Sequence, residues 1–166
     1  MTANDFLEAV KVFTQGVVGD IILPCYPVKG DSGPCHRAPA VYRQKLPDMY
    51  DFEKKTPYII HQVVSTASGQ SPGERTKSRL VLRSVFCVYH PQSDEGALAL
   101  LELMERFRIG ILKTRILDSR YEIDLEKSQL ETLMYPEESD PFFAGEMVSE
   151  WKMPSVERED IRRIIS

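Results

Sequence analysis

Two apolar runs separated by a polar loop, and followed by an amphipathic segment, dominate the hydrophobic pattern of the chain. The runs cover residues 57–67 and 79–89, and both are rich in β-branched and aromatic residues and bounded by Pro, Gly or Ser. This composition is typical of β-strands. The loop 68–78 has two glycines, a proline and no apolar anchor. We therefore predict an antiparallel strand pair joined by a mobile, solvated hairpin loop.

The second run is apolar on both faces over its C-terminal half, with Arg83 as the interruption. One face comprises Leu80, Leu82, Phe86 and Val88, and the other comprises Val81, Val85, Cys87 and Tyr89. A strand that is covered on both sides lies in the interior of its sheet. We therefore expect the second run to be a central strand and the first run to be less deeply buried.

The segment that starts near Ser93 repeats apolar residues at three- and four-residue spacing, which predicts an amphipathic helix that exits near Thr114. Ser93 is its expected N-cap. The expected buried positions are Ala97, Leu100, Leu101, Met104, Phe107 and Ile111, widened by Leu98, Leu103 and Leu112. This stripe should pack against the sheet formed by the preceding strands.

The N-terminal third combines a helix with a long stretch that has no sustained period. Asn4 or Asp5 is the expected cap of a first helix that stops near Gly19. Residues 24–56 are rich in proline and contain the aromatic residues Tyr26, Tyr42, Tyr50 and Phe52. A segment of this length without regular structure is usually functional or disordered. Two interpretations stay open: an arm that becomes ordered on a neighbouring subunit, or a poorly ordered surface insertion.

The C-terminal third predicts three more strands and a tail. Residues 121–125 alternate between apolar and acidic, 130–135 can form another strand, and 143–153 place Met147, Ser149, Trp151 and Met153 on one face. The tail 154–166 is either a short helix or a docking element that carries Ile161 and Ile164. Because strands and helices do not strictly alternate, we predict a single α+β domain over 1–166, with an antiparallel or mixed sheet packed by two helices.

Composition restricts the function classes. With 21 basic and 25 acidic residues in 166, the chain is mildly acidic, which argues against a broad electrostatic grip on nucleic acid. No window has the length and hydropathy of a membrane span, and the N-terminus lacks a signal-peptide pattern. The three cysteines are irregularly spaced, which argues against a secreted disulfide scaffold. We therefore expect a protein that is made and kept in the cytoplasm, or in a particle that is assembled there.

The residues that could carry chemistry do not form a recognisable motif. The histidines at 36, 61 and 90 are far apart in the sequence, and none lies in a nucleophile or metalloprotease motif. Cys25, Cys35 and His36 could supply three metal ligands, but their spacing matches no zinc pattern. Loop 68–78 lacks the spacing of a phosphate-binding loop. We predict no catalytic residue, no metal and no cofactor, while a small metal-dependent or nucleotide-modifying enzyme stays open as an alternative.

The order and spacing of several segments between residues 57 and 154 resemble the tail terminator (tail completion) proteins of long-tailed bacteriophages. After the strand pair, these segments are 85–89 (VFCVY), 93–96 (SDEG), 100–108 (LLELMERFR), 134–136 (MYP), 142–147 (FFAGEM) and 151–154 (WKMP). The Pro-rich N-terminal third departs from the pattern, which leaves another neck ring component, such as a stopper or head-completion protein, as the alternative.

The resemblance implies a non-enzymatic virion protein of the tail and neck. It implies a homo-oligomer, a hexameric ring, that caps the tail tube protein and joins it to the head-side connector or stopper protein. DNA would pass through the lumen without sequence-specific binding, and no membrane is involved. We expect the subunit or tube contacts to involve Tyr26, Tyr42, Tyr50, Phe52, Gly69, Arg75, Lys77, Ile161 and Ile164.

Overall fold

The computed structural model describes residues 2–27, 35–46, 55–135 and 140–159. These residues form two helices and nine strands. The helices are α1 (Ala3–Val18) and α2 (Ser93–Thr114). The strands are β1 (Leu23–Pro24), β2 (His36–Arg37), β3 (Ala40–Arg43), β4 (Tyr58–Gly69), β5 (Lys77–Tyr89), β6 (Ile116–Leu117), β7 (Tyr121–Ile123), β8 (Glu131–Met134) and β9 (Phe142–Met153).

Seven strands form one mixed sheet in the order β3-β4-β5-β9-β7-β6, in which β8 also pairs with β9. Strand β3 runs parallel to β4, whereas β4, β5 and β9 are antiparallel neighbours. The predicted strand pair and the central position of the second run are confirmed. The predicted α+β class, with a mixed sheet packed by two helices, is confirmed as well.

Both helices cover the same face of the sheet. The core between them contains the alternate β5 residues Leu80, Leu82 and Phe86, which are fully buried as the two-residue period requires. Phe6 of α1 packs between Tyr121 and Trp151, with ring centroids at 5.2 and 5.3 Å. Aromatic pairs at this distance add to the energy of apolar burial. The described chain therefore has one main core, which joins its N-terminal helix to its C-terminal strand.

Both predicted N-caps are wrong, because each observed cap lies earlier in the sequence than the predicted residue. Helix α1 is capped by Thr2, whose hydroxyl accepts a bond from the Asp5 backbone while the Asp5 carboxylate accepts one from the Thr2 backbone at 2.8 Å. This reciprocal capping box explains why Asp5 lies inside the first turn. In α2 the cap position is Gln92 and Ser93 is the first helical residue.

Part of the segment 24–56, predicted as irregular, adopts regular structure. Strands β1 and β2 pair with each other, and β3 lies along the first four residues of β4, from Ala40 opposite Tyr58 to Arg43 opposite His61. A four-residue strand among prolines is too short to show an alternating pattern, and its hydrogen bonds come from a partner that is distant in sequence. Tyr50 and Phe52 lie outside the described residues.

Loop 68–78 is shorter than predicted, since β4 continues to Gly69 and β5 begins at Lys77. Its polar flanking residues can pair as strands because main-chain hydrogen bonds do not depend on apolar side chains. The hairpin tip is therefore 70–76. Beyond this hairpin, strands β7 and β8 both pair with β9.

Candidate functional site: an assembly surface

Contacts within the β4–β5 hairpin give its tip a defined conformation. Gly73 adopts a φ of +78°, the Gln70 side-chain amide donates to the Glu74 carbonyl at 2.9 Å, and Lys77 Nζ lies 2.8 Å from a Glu74 carboxylate oxygen. The contact with Lys77 lowers the pKa of Glu74. Glu74 therefore offsets the charge of Lys77, whereas exposed Arg75 forms no ion pair with any described residue. Gly69, Arg75 and Lys77, predicted as contact residues, lie together here.

The outer edge of β4 changes its hydrogen-bonding partner at Val63. Up to His61 this edge pairs with β3, and at Val63 the side chain of Gln44 replaces a strand. Its amide donates to the Val63 carbonyl at 3.0 Å and accepts from the Val63 backbone N–H at 2.9 Å. Gln44 can reach this position because its backbone has a φ of +62°, in a region that few residues other than glycine adopt. The amide group thus ends the pairing that β3 began.

Past this point, no described residue pairs with the outer edge of β4. The exposed stretch 64–69 reads Val-Ser-Thr-Ala-Ser-Gly, without a charge or a proline. Natural proteins usually protect a free edge with lysine, proline, a bulge or a covering loop, since an unprotected edge is a template for another strand. The β4–β5 register does shift between Val63 and Ser65, but the pairing with β5 resumes and continues to Gly69. The edge thus has the features of a surface that receives another chain.

The sheet face opposite the helices carries cross-strand ion pairs. Arg83 contacts the Glu146 carboxylate and donates to the Tyr135 hydroxyl at 2.8 Å, and Arg79 lies 2.8 Å from Glu150. The hydrogen bond from Arg83 lowers the pKa of the Glu146 carboxyl group. These pairs explain the charged interruption of an otherwise apolar strand, because each Arg on β5 has a carboxylate on β9 within reach.

Helix α2 has a second apolar stripe on its solvent side. Leu98, Leu101 and Ile109 are 61%, 43% and 41% exposed, so the prediction that Leu98 and Leu101 contribute to the buried face is wrong. At 100° per residue Leu98 and Ile109 lie opposite Phe107 and Leu101 lies to one side of them, and they accompany Glu102 and Glu105. Leu98 also lines, with exposed Ile22, a surface groove of about 330 Å³. Large contiguous apolar patches on a protein surface mark interaction sites, and this stripe with the adjoining groove is a candidate for one.

The other predicted contact residues have different locations. Tyr26 packs on Tyr89 and Phe142 of its own chain, with ring centroids at 5.5 and 5.4 Å, and Tyr42 lies 6.4 Å from Tyr58. Both rings are half-buried and help to fix the N-terminal segment to the ends of the sheet. Ile161 and Ile164 lie outside the described residues.

A buried polar group that the sequence did not reveal connects α1, β4 and β5. His61 Nε2 lies 2.8 Å from Thr14 Oγ1, and His61 Nδ1 lies 2.8 Å from Ser84 Oγ. All three residues are at most 1% exposed, so this Ser–His pair has no access to a substrate. Burial lowers the pKa of His61 to about 3. The group is a hydrogen-bonded part of the core, and its members are too far apart in sequence to form a motif.

The proposed metal ligands do not converge. Cys25 and Cys35 are adjacent, but His36 lines the groove beside Leu98, and successive strand residues point to opposite faces. Within the described ranges, no three His, Cys, Asp or Glu side chains are grouped so as to hold a metal ion. Neither described helix combines the length and hydropathy of a membrane-spanning helix.

Comparison of the sequence with protein-family models finds no match, and comparison with curated proteins finds no significant match.

Proposed function

We propose that this chain is a tail terminator of a long-tailed bacteriophage, a structural protein that forms a ring at the head–tail neck. In this proposal copies of the chain associate side by side into a ring, which caps the tail tube and meets the head-side connector. The proposal rests on the resemblance of residues 57–154 and on surfaces that suit assembly.

The outer edge of β4 past Val63, with which no described residue pairs, carries this proposal. Residues 64–69 offer backbone donors and acceptors on one side only, and their small, uncharged side chains leave room for an added strand. Strand addition is a common mode of protein association, because main-chain hydrogen bonds supply the affinity. A heterologous contact of this kind closes into a ring when the rotation between copies allows closure. The edge therefore supports assembly of the chain with copies of itself.

Two further surfaces support the same proposal. The basic hairpin tip adjoins the free edge, so a contact along the edge would leave Arg75 close to the rim of the assembly. The outer stripe of α2 exposes Leu98, Leu101 and Ile109, which a ring contact could remove from water at a gain of about 25 cal/mol per Å² of apolar surface. Both features suit a protein that contacts several partners within one assembly.

The proposed association is tested by adding positive charge to the free edge. We expect the variant with Val64→Lys and Thr66→Lys to remain folded but to lose ring formation, since lysines on an edge oppose strand addition. Oligomer mass is measured by native mass spectrometry, and ring shape by negative-stain electron microscopy. Far-UV circular dichroism checks the fold.

The matched control changes the same two residue types at exposed positions away from this edge, as Thr114→Lys with Val156→Lys. The control should form the same rings as the unmodified chain. A wild-type chain that stays monomeric at all concentrations would contradict the proposal. Rings that fail to cap tubes but bind a head-side connector would instead support the stopper alternative.

A further inference from the structure

We propose that Cys25 and Cys35 form an intramolecular disulfide when the protein meets a thiol oxidant such as oxidised glutathione. The bond would be a reversible cross-link across the ribbon formed by β1 and β2. This inference concerns a covalent modification site and is independent of the proposed role in the phage neck.

The strand register places the two cysteines face to face. Leu23 pairs with Arg37 and Pro24 with His36, so the next pair along the antiparallel ribbon is Cys25 with Cys35. The Cys25 backbone N–H donates to the Cys35 carbonyl at 2.8 Å, which extends the ladder to these residues. Directly opposite residues of an antiparallel pair have Cα separations near 5 Å, within the range that a disulfide spans.

The sulfur atoms are already in contact. The two Sγ atoms lie 2.7 Å apart and both residues are free thiols. Bond formation therefore requires only a small side-chain adjustment and no movement of the backbone, which is the usual obstacle to joining two cysteines. The third cysteine, Cys87, is buried in the small cluster on the other face of the sheet and belongs to a different part of the molecule.

The difference in exposure sets the order of the reaction. Cys35 is exposed. The pKa of the Cys25 thiol is raised to about 11, mainly by burial and secondly by its hydrogen bond with the Cys35 thiol. The Cys35 thiolate attacks one sulfur of oxidised glutathione and releases one glutathione thiolate. The Cys25 thiolate then attacks the Cys35 sulfur of this mixed disulfide and releases the second. Two protein thiols are oxidised and one oxidised glutathione is reduced to two glutathione molecules, with both protein protons passing to the released thiolates.

The disulfide would lie next to a contact between the N-terminal segment and the main sheet. Tyr26 follows Cys25 directly, and its ring packs on Tyr89 at the end of β5 and Phe142 at the start of β9. A bond between Cys25 and Cys35 restricts the unfolded chain by closing the loop between them. Oxidation should therefore raise the thermal midpoint of unfolding.

The experiment treats the full chain with excess oxidised glutathione and then alkylates the remaining thiols under denaturing conditions. Before alkylation we expect a mass about 2 Da below that of the reduced chain, as one disulfide requires. Alkylation should then add one label, where the reduced chain with its three cysteines takes three. Trypsin can cut after Lys29, between the two cysteines, so a non-reducing digest should contain one cross-linked peptide pair that dithiothreitol separates. Cys87 should be recovered alkylated.

Two variants sharpen the test. Cys35→Ser should lose both the cross-linked pair and the rise in thermal midpoint, whereas Cys87→Ala should keep both. The proposal is overturned if Cys25 and Cys35 remain free, if each retains a separate glutathione, or if the bridge joins two chains. A zinc ion bound at one equivalent that protects both thiols from oxidation would also overturn it.

Discussion

At the scale of single residues, the hydrogen bonds of His61 determine its tautomer. The Thr14 hydroxyl has one proton and donates it to the Val10 carbonyl at 2.7 Å. It must therefore accept from His61 Nε2–H, which leaves Nδ1 to accept from the Ser84 hydroxyl at 2.8 Å. Each polar atom of the group is satisfied by a neutral imidazole, and a protonated ring would place an uncompensated charge in the core.

This arrangement predicts an acid-sensitive core. The pKa of His61 is about 3 when folded and about 6.5 when unfolded, so below pH 6.5 the unfolded chain binds a proton that the folded chain does not. His61 should therefore lower the free energy of unfolding by about 1.4 kcal/mol for each pH unit below 6.5, a loss that continues to about pH 3. Urea unfolding of the wild type and of His61→Gln, measured between pH 7 and 5, gives this slope.

The His61→Gln variant should be less stable at pH 7, because glutamine does not reproduce both hydrogen bonds, but its stability should fall less steeply with acidification. His90→Gln is the control, since His90 is half-buried at a strand end and outside this group. It should keep the wild-type slope. Equal slopes for the wild type and His61→Gln would refute this account of the core.

At the scale of elements, the contact between α2 and β9 depends on a glycine. Gly96 is buried in the first turn of α2, and a Cβ atom at this position would overlap the ring of Phe143 on β9. Glycine normally weakens a helix. Here it permits a close approach of helix and sheet that a larger residue would prevent.

We predict that Gly96→Ala destabilises the protein by about 1–3 kcal/mol, the usual cost of overpacking a core, although alanine is the better helix former. Gly16→Ala in α1 is the matched control, because Gly16 is exposed and has no atom within 4 Å of the added Cβ. It should stabilise the protein by about 0.5–1 kcal/mol. Chemical denaturation measures both, and a stabilising Gly96→Ala would show that Phe143 moves aside without cost.

At the scale of the whole molecule, the charge of the hairpin tip can be changed without affecting the core. Arg75 and Lys77 are exposed, and the Lys77–Glu74 ion pair is a surface contact, which contributes little to stability. If the tip faces the tube or the lumen of a ring, its charge affects capping and not folding.

We predict that Arg75→Glu with Lys77→Glu impairs tail capping and leaves the thermal midpoint of the subunit unchanged. Electron microscopy of tails assembled with the variant should show tubes of uncontrolled length or without heads. The control, Lys113→Glu with Lys127→Glu, makes the same change of charge at exposed positions elsewhere. Normal virion assembly with the hairpin variant would count against the proposed position of the tip.

The sequence predicted the long elements because each has many positions with a consistent period. Strands β4, β5 and β9 and helix α2 all follow from alternation or from three- and four-residue spacing. The short strand β3 and the edge contact made by Gln44 could not be predicted, since both depend on β4 as a partner. Among the contact candidates, the grouping of Gly69, Arg75 and Lys77 followed from their proximity in sequence.

The amino-acid sequence by itself determined the α+β class, the hairpin and the buried faces of its strands, because local periodicity decides which side chains can leave water together. The tertiary structure alone decided which of the two apolar stripes of α2 is buried and where the pairing of β3 with β4 stops. It also decided that Cys25 faces Cys35 and that His61 meets Thr14 and Ser84. These features depend on contacts between distant segments, and no local pattern encodes such contacts.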